Sequence, residues 1–132
     1  MILVDTTVLI DALKGIRNEK SALFLKVIRD NIPFGISEYT YLEILQGARN
    51  QAEYDQLCEY LSDMNIFFLP KDLRTYNTAS KMYFDLRRQG VTPRSTIDIL
   101  IALTATEYNL ALLHNDKDFT AFAEKMPMLK IF

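Results

Sequence analysis

The chain begins MILVDTTVLID, and Asp5 stands where a run of apolar residues stops. Three other acids have similarly unusual settings: Glu43 in YLEILQG, Asp98 in STID and Asp116 in LLHND. Asp5 and Asp116 each follow an apolar run and precede a helical pattern, where an aspartate is also a good N-cap for the helix. Asp98 fits a capping box, with Ser95 as cap and Asp98 at the third helical position. The residues that follow, ILIALTA, are apolar on nearly every face, so this helix reads as buried and its first turn as shielded from water. Glu43 lies among Leu42, Ile44 and Leu45 with no lysine within a turn, and a buried carboxylate is costly unless it is paired or bound to a metal. Asp118 reads as a cap or a solvated acid.

Four carboxylates brought to one place with no base interleaved repel one another strongly at short range. A divalent cation resolves that repulsion. The candidate ligands are all oxygens, and the chain has a single cysteine and a single histidine, so a hard ion, Mg²⁺ or Mn²⁺, is expected rather than zinc. Such ions polarise phosphoryl groups and clamp attacking and leaving oxygens, which points to phosphodiester hydrolysis.

The elements that must hold these acids follow from hydrophobic period and from caps. MILV reads as a buried strand and TTVLIDALKG as a helix that begins at a threonine cap and ends near Gly15. SALFLKVIRDN reads as helix, IPFGIS as strand, and EYTYLEILQGA and QAEYDQLCEYLSDM as helices. NIFFLP, LALLHN and MLKIF complete the strands, while KDLRTYNTASKMYFDLRRQG, STIDILIALTATEYN and DKDFTAFAEKM complete the helices. Short apolar strands alternating with helices imply a parallel sheet covered on both faces, a three-layer α/β/α sandwich. In such sheets a ligand site lies outside the carboxyl ends of the strands. Asp5 and Asp116 both stand at that edge.

With 132 residues the chain is expected to form one domain, residues 1–132, with no linker, repeat or low-complexity tract. A net charge of −2 gives no global attraction to a polyanion, so nucleic acid would need a local basic patch or bound cations. Lys81, Arg87, Arg88 and Arg94, ahead of the Asp98 helix, are candidate phosphate contacts or simply a solvated helix face. Cys58 shares a helical face with Tyr54, Leu57, Leu61 and Met64 and reads as core. Asp5 and Asp11 are wrong for a secretory signal, and no apolar run approaches the ~20 residues that span a bilayer. A reducing, cytoplasmic setting is the expectation.

The segments ILVDTTVLID, ISEYTYLEILQGA, STIDILIALTA and LLHNDKDF, in that order, resemble the PIN-domain nucleases and, within them, the VapC ribonuclease toxins of toxin–antitoxin pairs. The resemblance covers essentially the whole chain. It implies that Asp5, Glu43, Asp98 and Asp116 are an acidic quartet, with Asp5 and Asp98 the surest metal ligands. It further implies Mg²⁺-dependent cleavage of RNA, with Mn²⁺ able to substitute, a homodimer, and a cognate antitoxin that blocks the active site. Thr6 or Thr7 matches the hydroxyl position that follows the first aspartate. His114 departs from the family, which usually has threonine two residues before the fourth acid. A histidine there either gains proton affinity from the acids and transfers protons, or hydrogen-bonds one acid in place of the threonine.

Two other enzyme or signalling classes place acids at strand ends. A haloacid-dehalogenase-like phosphatase needs a second aspartate two residues after the first, where this chain has Thr7. A response-regulator receiver needs an early acidic pair and a late lysine in the sheet, and neither is present. A PIN-like scaffold that only binds RNA or a partner is the non-enzymatic alternative, disfavoured by the intact quartet.

Overall fold

The computed structural model describes residues 1–132 as five strands and seven helices. In chain order these are β1 (Ile2–Val4), α1 (Thr6–Leu13), α2 (Glu19–Arg29), β2 (Phe34–Ser37), α3 (Glu38–Gln46) and α4 (Gln51–Leu61). They continue with β3 (Asn65–Phe67), α5 (Leu73–Arg88), α6 (Thr96–Glu107), β4 (Ala111–Leu113), α7 (Lys117–Lys125) and β5 (Lys130–Ile131). Each strand and helix expected from the hydrophobic pattern is present. The sheet is wholly parallel in the order β3-β2-β1-β4-β5, and the α/β/α sandwich expected from the sequence is the observed architecture.

Alternation along the central strands splits the core into two layers. Leu3 of β1 and its register partner Leu112 of β4 face one layer, with Ala79 and Leu86 of α5, Ile99 and Leu103 of α6, and Phe119 and Phe122 of α7. Val4 and its partner Leu113 face the other, with Val8 and Leu9 of α1, Phe24 of α2, Ile44 of α3 and Leu61 of α4. Cys58 packs against this second layer, as expected for a core residue. The chain runs outward from β1 to β2 and β3, then crosses back to place β4 on the other flank of β1. The strand order therefore reverses between β1 and β4, and the crevice at their carboxyl ends is where ligands bind in open α/β sheets.

Helix α6 carries six buried residues in TIDILIALTATE and is buried on most sides, the reason its sequence shows little amphipathic alternation. Its amino-terminal turn points to the same edge as the ends of β1 and β4. The cap of α1 differs from the expectation: Asp5 is the N-cap, and Thr6 is the first helical residue. The aspartate therefore ends the strand and starts the helix without a spacer, which holds its carboxylate at the sheet edge.

Candidate active site

Asp5 is 2% exposed. Its backbone N–H donates to Leu113 O of β4 at 2.9 Å, locking the end of β1 to its neighbour. Its Oδ2 accepts from the Thr7 backbone N–H at 3.1 Å and from Thr7 Oγ1 at 2.6 Å. Burial is the largest influence on this carboxyl and raises its proton affinity, against the opposing hydrogen bonds from Thr7 and Thr6. Thr7 Oγ1 also accepts the Asn115 N–H at 3.0 Å, so one hydroxyl ties the Asp5 turn to the turn after β4.

Thr6 serves the second acid. Its hydroxyl donates to Glu43 Oε1 at 2.6 Å and lies 3.2 Å from Thr40 Oγ1. Glu43 is partly buried rather than enclosed, and its neighbour Leu42 is exposed. The apolar neighbours of Glu43 do not enclose it, because α3 shows one flank to solvent. Both threonines after Asp5 thus have defined duties, one toward each carboxylate.

Asp98 is half-buried in the first turn of α6 and forms no hydrogen bond or ion pair with a side chain. The expected capping box does not close: Ser95 Oγ accepts from the Ile97 N–H at 3.1 Å, one residue short of Asp98. Asp98 is therefore not committed to its own helix. Desolvation first, then the charges of Asp116, Asp5, Glu43 and Asp118, push its pKa from 3.8 to about 6. All the acids near the crevice are thus felt at one carboxyl.

Asp116 does cap its helix, accepting the Asp118 N–H on Oδ1 at 2.9 Å. It also belongs to a tighter group, in which Asp98, Asp116 and Asp118 each present an oxygen within 4.8 Å of the others. Asp118, by its sequence setting a cap or a solvated acid, completes a triad in the folded chain. Its position at the second helical residue after the Asp116 cap curls both carboxylates to one side, a local geometry that residue spacing on a regular helix does not suggest. Asp5 and Glu43 are not part of this group, though their charges act on Asp98.

A guanidinium already sits against the triad. Arg94 Nε donates to Asp118 Oδ2 at 2.7 Å, and Arg94 Nη2 is 3.4 Å from Asp116 Oδ1. Of the four basic residues singled out in the sequence, only Arg94 reaches the acids. Lys81 pairs with Asp85 on its own helix, while Arg87 and Arg88 stack over Tyr83 and Phe84. His114 also departs from one of its two expected roles. Burial, with Lys20 adding to it, lowers its proton affinity, so it is neutral rather than charged by the acids. Its Nδ1 accepts the backbone N–H of Asp116 at 3.1 Å, so it bonds the main chain of the acid and not its carboxylate.

The donor set suits a hard divalent cation: three carboxylates from two elements, no sulfur, and a cationic arginine already drawn to them. The family model described as PIN domain matches residues 2–125. The chain belongs to the PIN-domain family. Ribonuclease VapC11 of Mycobacterium tuberculosis is 26% identical to this PIN domain over 127 residues, spanning 93% of this chain and 92% of the relative. In fold, the domain is similar to a chain of VapBC2 from Rickettsia felis bound to a promoter DNA fragment, with TM-score 0.76 and 18% identity over 100% of this chain and 98% of that one. It is also similar to a chain of a toxin-antitoxin complex from Klebsiella pneumoniae, with TM-score 0.69 and 23% identity over 98% and 95% of the two chains. No helix of this PIN domain is long and apolar enough to cross a membrane.

Proposed function

We propose that this PIN domain is a divalent-cation-dependent ribonuclease that acts as the toxin of a toxin–antitoxin pair. The observation that carries the reading is the convergence of Asp98, Asp116 and Asp118 at the strand-order reversal, with the charges of Asp5 and Glu43 acting on Asp98. Distant similarity to a VapC ribonuclease supports RNA as the class of substrate, and fold similarity to chains from toxin–antitoxin complexes supports an antitoxin as the class of partner. RNA is the substrate in this reading, an antitoxin protein is the partner that silences the site, and a second copy of the chain completes a homodimer.

Asp98, Asp116 and Asp118 would hold Mg²⁺ or Mn²⁺, with Asp5 and Glu43 completing the negative field. Bound there, the cation supplies Lewis-acid polarisation of a phosphodiester and activation of water for in-line attack. The protein's own groups do the positioning. Thr7 fixes the Asp5 carboxylate through two donors, and Thr6 fixes Glu43 through one. His114 and Thr7 secure the backbone of the turn that carries Asp116. Asp98, free of local hydrogen bonds and raised in proton affinity, is a carboxylate that gains from a cation.

Expression of the chain alone in bacteria is expected to arrest growth, and Asp5→Asn or Asp98→Asn to relieve the arrest at equal protein level. Arrest that persists in both variants contradicts the assignment of those residues. A domain that binds RNA with wild-type affinity, yet cleaves none in Mg²⁺ or Mn²⁺, would instead be the non-catalytic PIN-like module.

A further inference from the structure

Beside the acids lies a second chemical environment of opposite character. An open cleft of about 630 Å³ borders Asp116 and is lined by Lys20, Arg94, Lys117, His114, Asn115 and Thr120 among others, with Ile131 the only hydrophobic residue. These side chains come from α2, the turn before α6, the turn after β4, and α7, so the cleft exists only in the folded chain. Arg94 spends its charge on Asp116 and Asp118, but Lys20 and Lys117 form no ion pair even with the acid triad nearby. Two unpaired cations facing one polar cleft suit an anion brought from outside.

His114 gives the same indication independently. It is 4% exposed and its Nδ1 is occupied as an acceptor by the Asp116 N–H, so the neutral ring carries its proton on Nε2. Nε2 has no protein partner. No enclosed side-chain nitrogen or oxygen lacks one, so this atom has access to solvent as an unused donor, on a residue that lines the cleft. The chain's only histidine is thus oriented by the backbone of an acid on one side and keeps an unused N–H on the other.

Resting on the nuclease reading above, we propose that this cleft is a phosphate subsite that holds the RNA phosphodiester next to the one being cut. Lys20 and Lys117 neutralise the phosphate and His114 Nε2 donates to one of its oxygens. The substrate backbone then enters over α2 and α7 and crosses the acid triad, which fixes its direction. The cleft reads only phosphate and ribose, so it contributes affinity and register and no base preference. Lys81, Arg87 and Arg88 stand outside this path.

The test measures fluorescence anisotropy of a fluorescein-labelled single-stranded oligouridylate in Ca²⁺ as salt is varied, with cleavage of the same RNA followed in Mn²⁺. The Lys20→Gln/Lys117→Gln double variant is expected to bind about tenfold more weakly and to reduce the slope of log K against log salt by about 0.7, one single-strand phosphate contact. His114→Asn, which keeps an acceptor near Nδ1 and removes Nε2, is expected to weaken binding by a smaller factor with no change of slope. The charge-matched Lys81→Gln/Arg88→Gln variant is expected to bind like the wild type. Wild-type binding by the Lys20/Lys117 variant, with the wild type itself binding and cleaving RNA, overturns the subsite and leaves the nuclease reading standing. A wild type that neither binds nor cleaves RNA overturns both.

Discussion

Asp98 carries an electrostatic cost in the metal-free site. Its pKa of about 6 in the folded chain, against 3.8 for a free carboxyl, means that the metal-free native state holds this proton more tightly than the unfolded state does. Stability is therefore greatest below about pH 4 with respect to this group, falls as pH rises toward about 6, and levels off above. Half burial and solvent screening bring the effect to about 1 kcal/mol. Denaturant unfolding of metal-free protein should show Asp98→Asn more stable than the wild type by about that amount at pH 7.5, and equal to it at about pH 4. A destabilised Asp98→Asn at pH 7.5 would mean that the carboxylate serves its helix after all. Arg94 offers a second residue-scale test. Because its guanidinium lies against Asp116 and Asp118, Arg94→Gln is expected to tighten Mn²⁺ binding several-fold by titration of free Mn²⁺, and unchanged or weaker binding would contradict competition at the triad.

At the level of elements, Asp116 does two jobs that substitution can separate. It caps α7 and it belongs to the triad. Asparagine is as good a cap as aspartate whereas alanine is not, so Asp116→Asn should lose Mn²⁺ affinity at little cost in stability, and Asp116→Ala should lose both, with a further stability cost of about 1 kcal/mol. Equal melting temperatures for the two variants would show that the cap contributes nothing. The strands and helices were legible because their apolar runs are short and their periods distinct, and the parallel order followed from strand–helix alternation. Asp5, Glu43, Asp98 and Asp116 could be singled out because each breaks an apolar pattern or stands where one ends. Asp118 could not, because a carboxylate at the start of a surface helix looks the same whether it faces water or a neighbouring acid. Lys20 and Lys117 were invisible for a related reason: only the packing of α2 and α7 about the end of β4 brings them to one cleft.

For the whole molecule, the net charge of −2 understates how unevenly charge is arranged. Five acids gather around the ends of β1 and β4 and the start of α6, while two unpaired lysines stand at their border. A cation that binds the native state and not the unfolded chain stabilises it by mass action, so Mn²⁺ is expected to raise the melting temperature of the wild type and to raise that of Asp98→Asn by less. An equal rise in both would place the cation elsewhere. The same arrangement predicts the chemistry most directly through RNA cleavage. Purified wild type and Asp98→Asn, incubated with end-labelled RNA in Mn²⁺ and in excess chelator, should give fragments bearing 5′-phosphates only for the wild type with Mn²⁺, and cleavage by the wild type undiminished in chelator, or by Asp98→Asn at the wild-type rate, would contradict a metal-dependent acidic site.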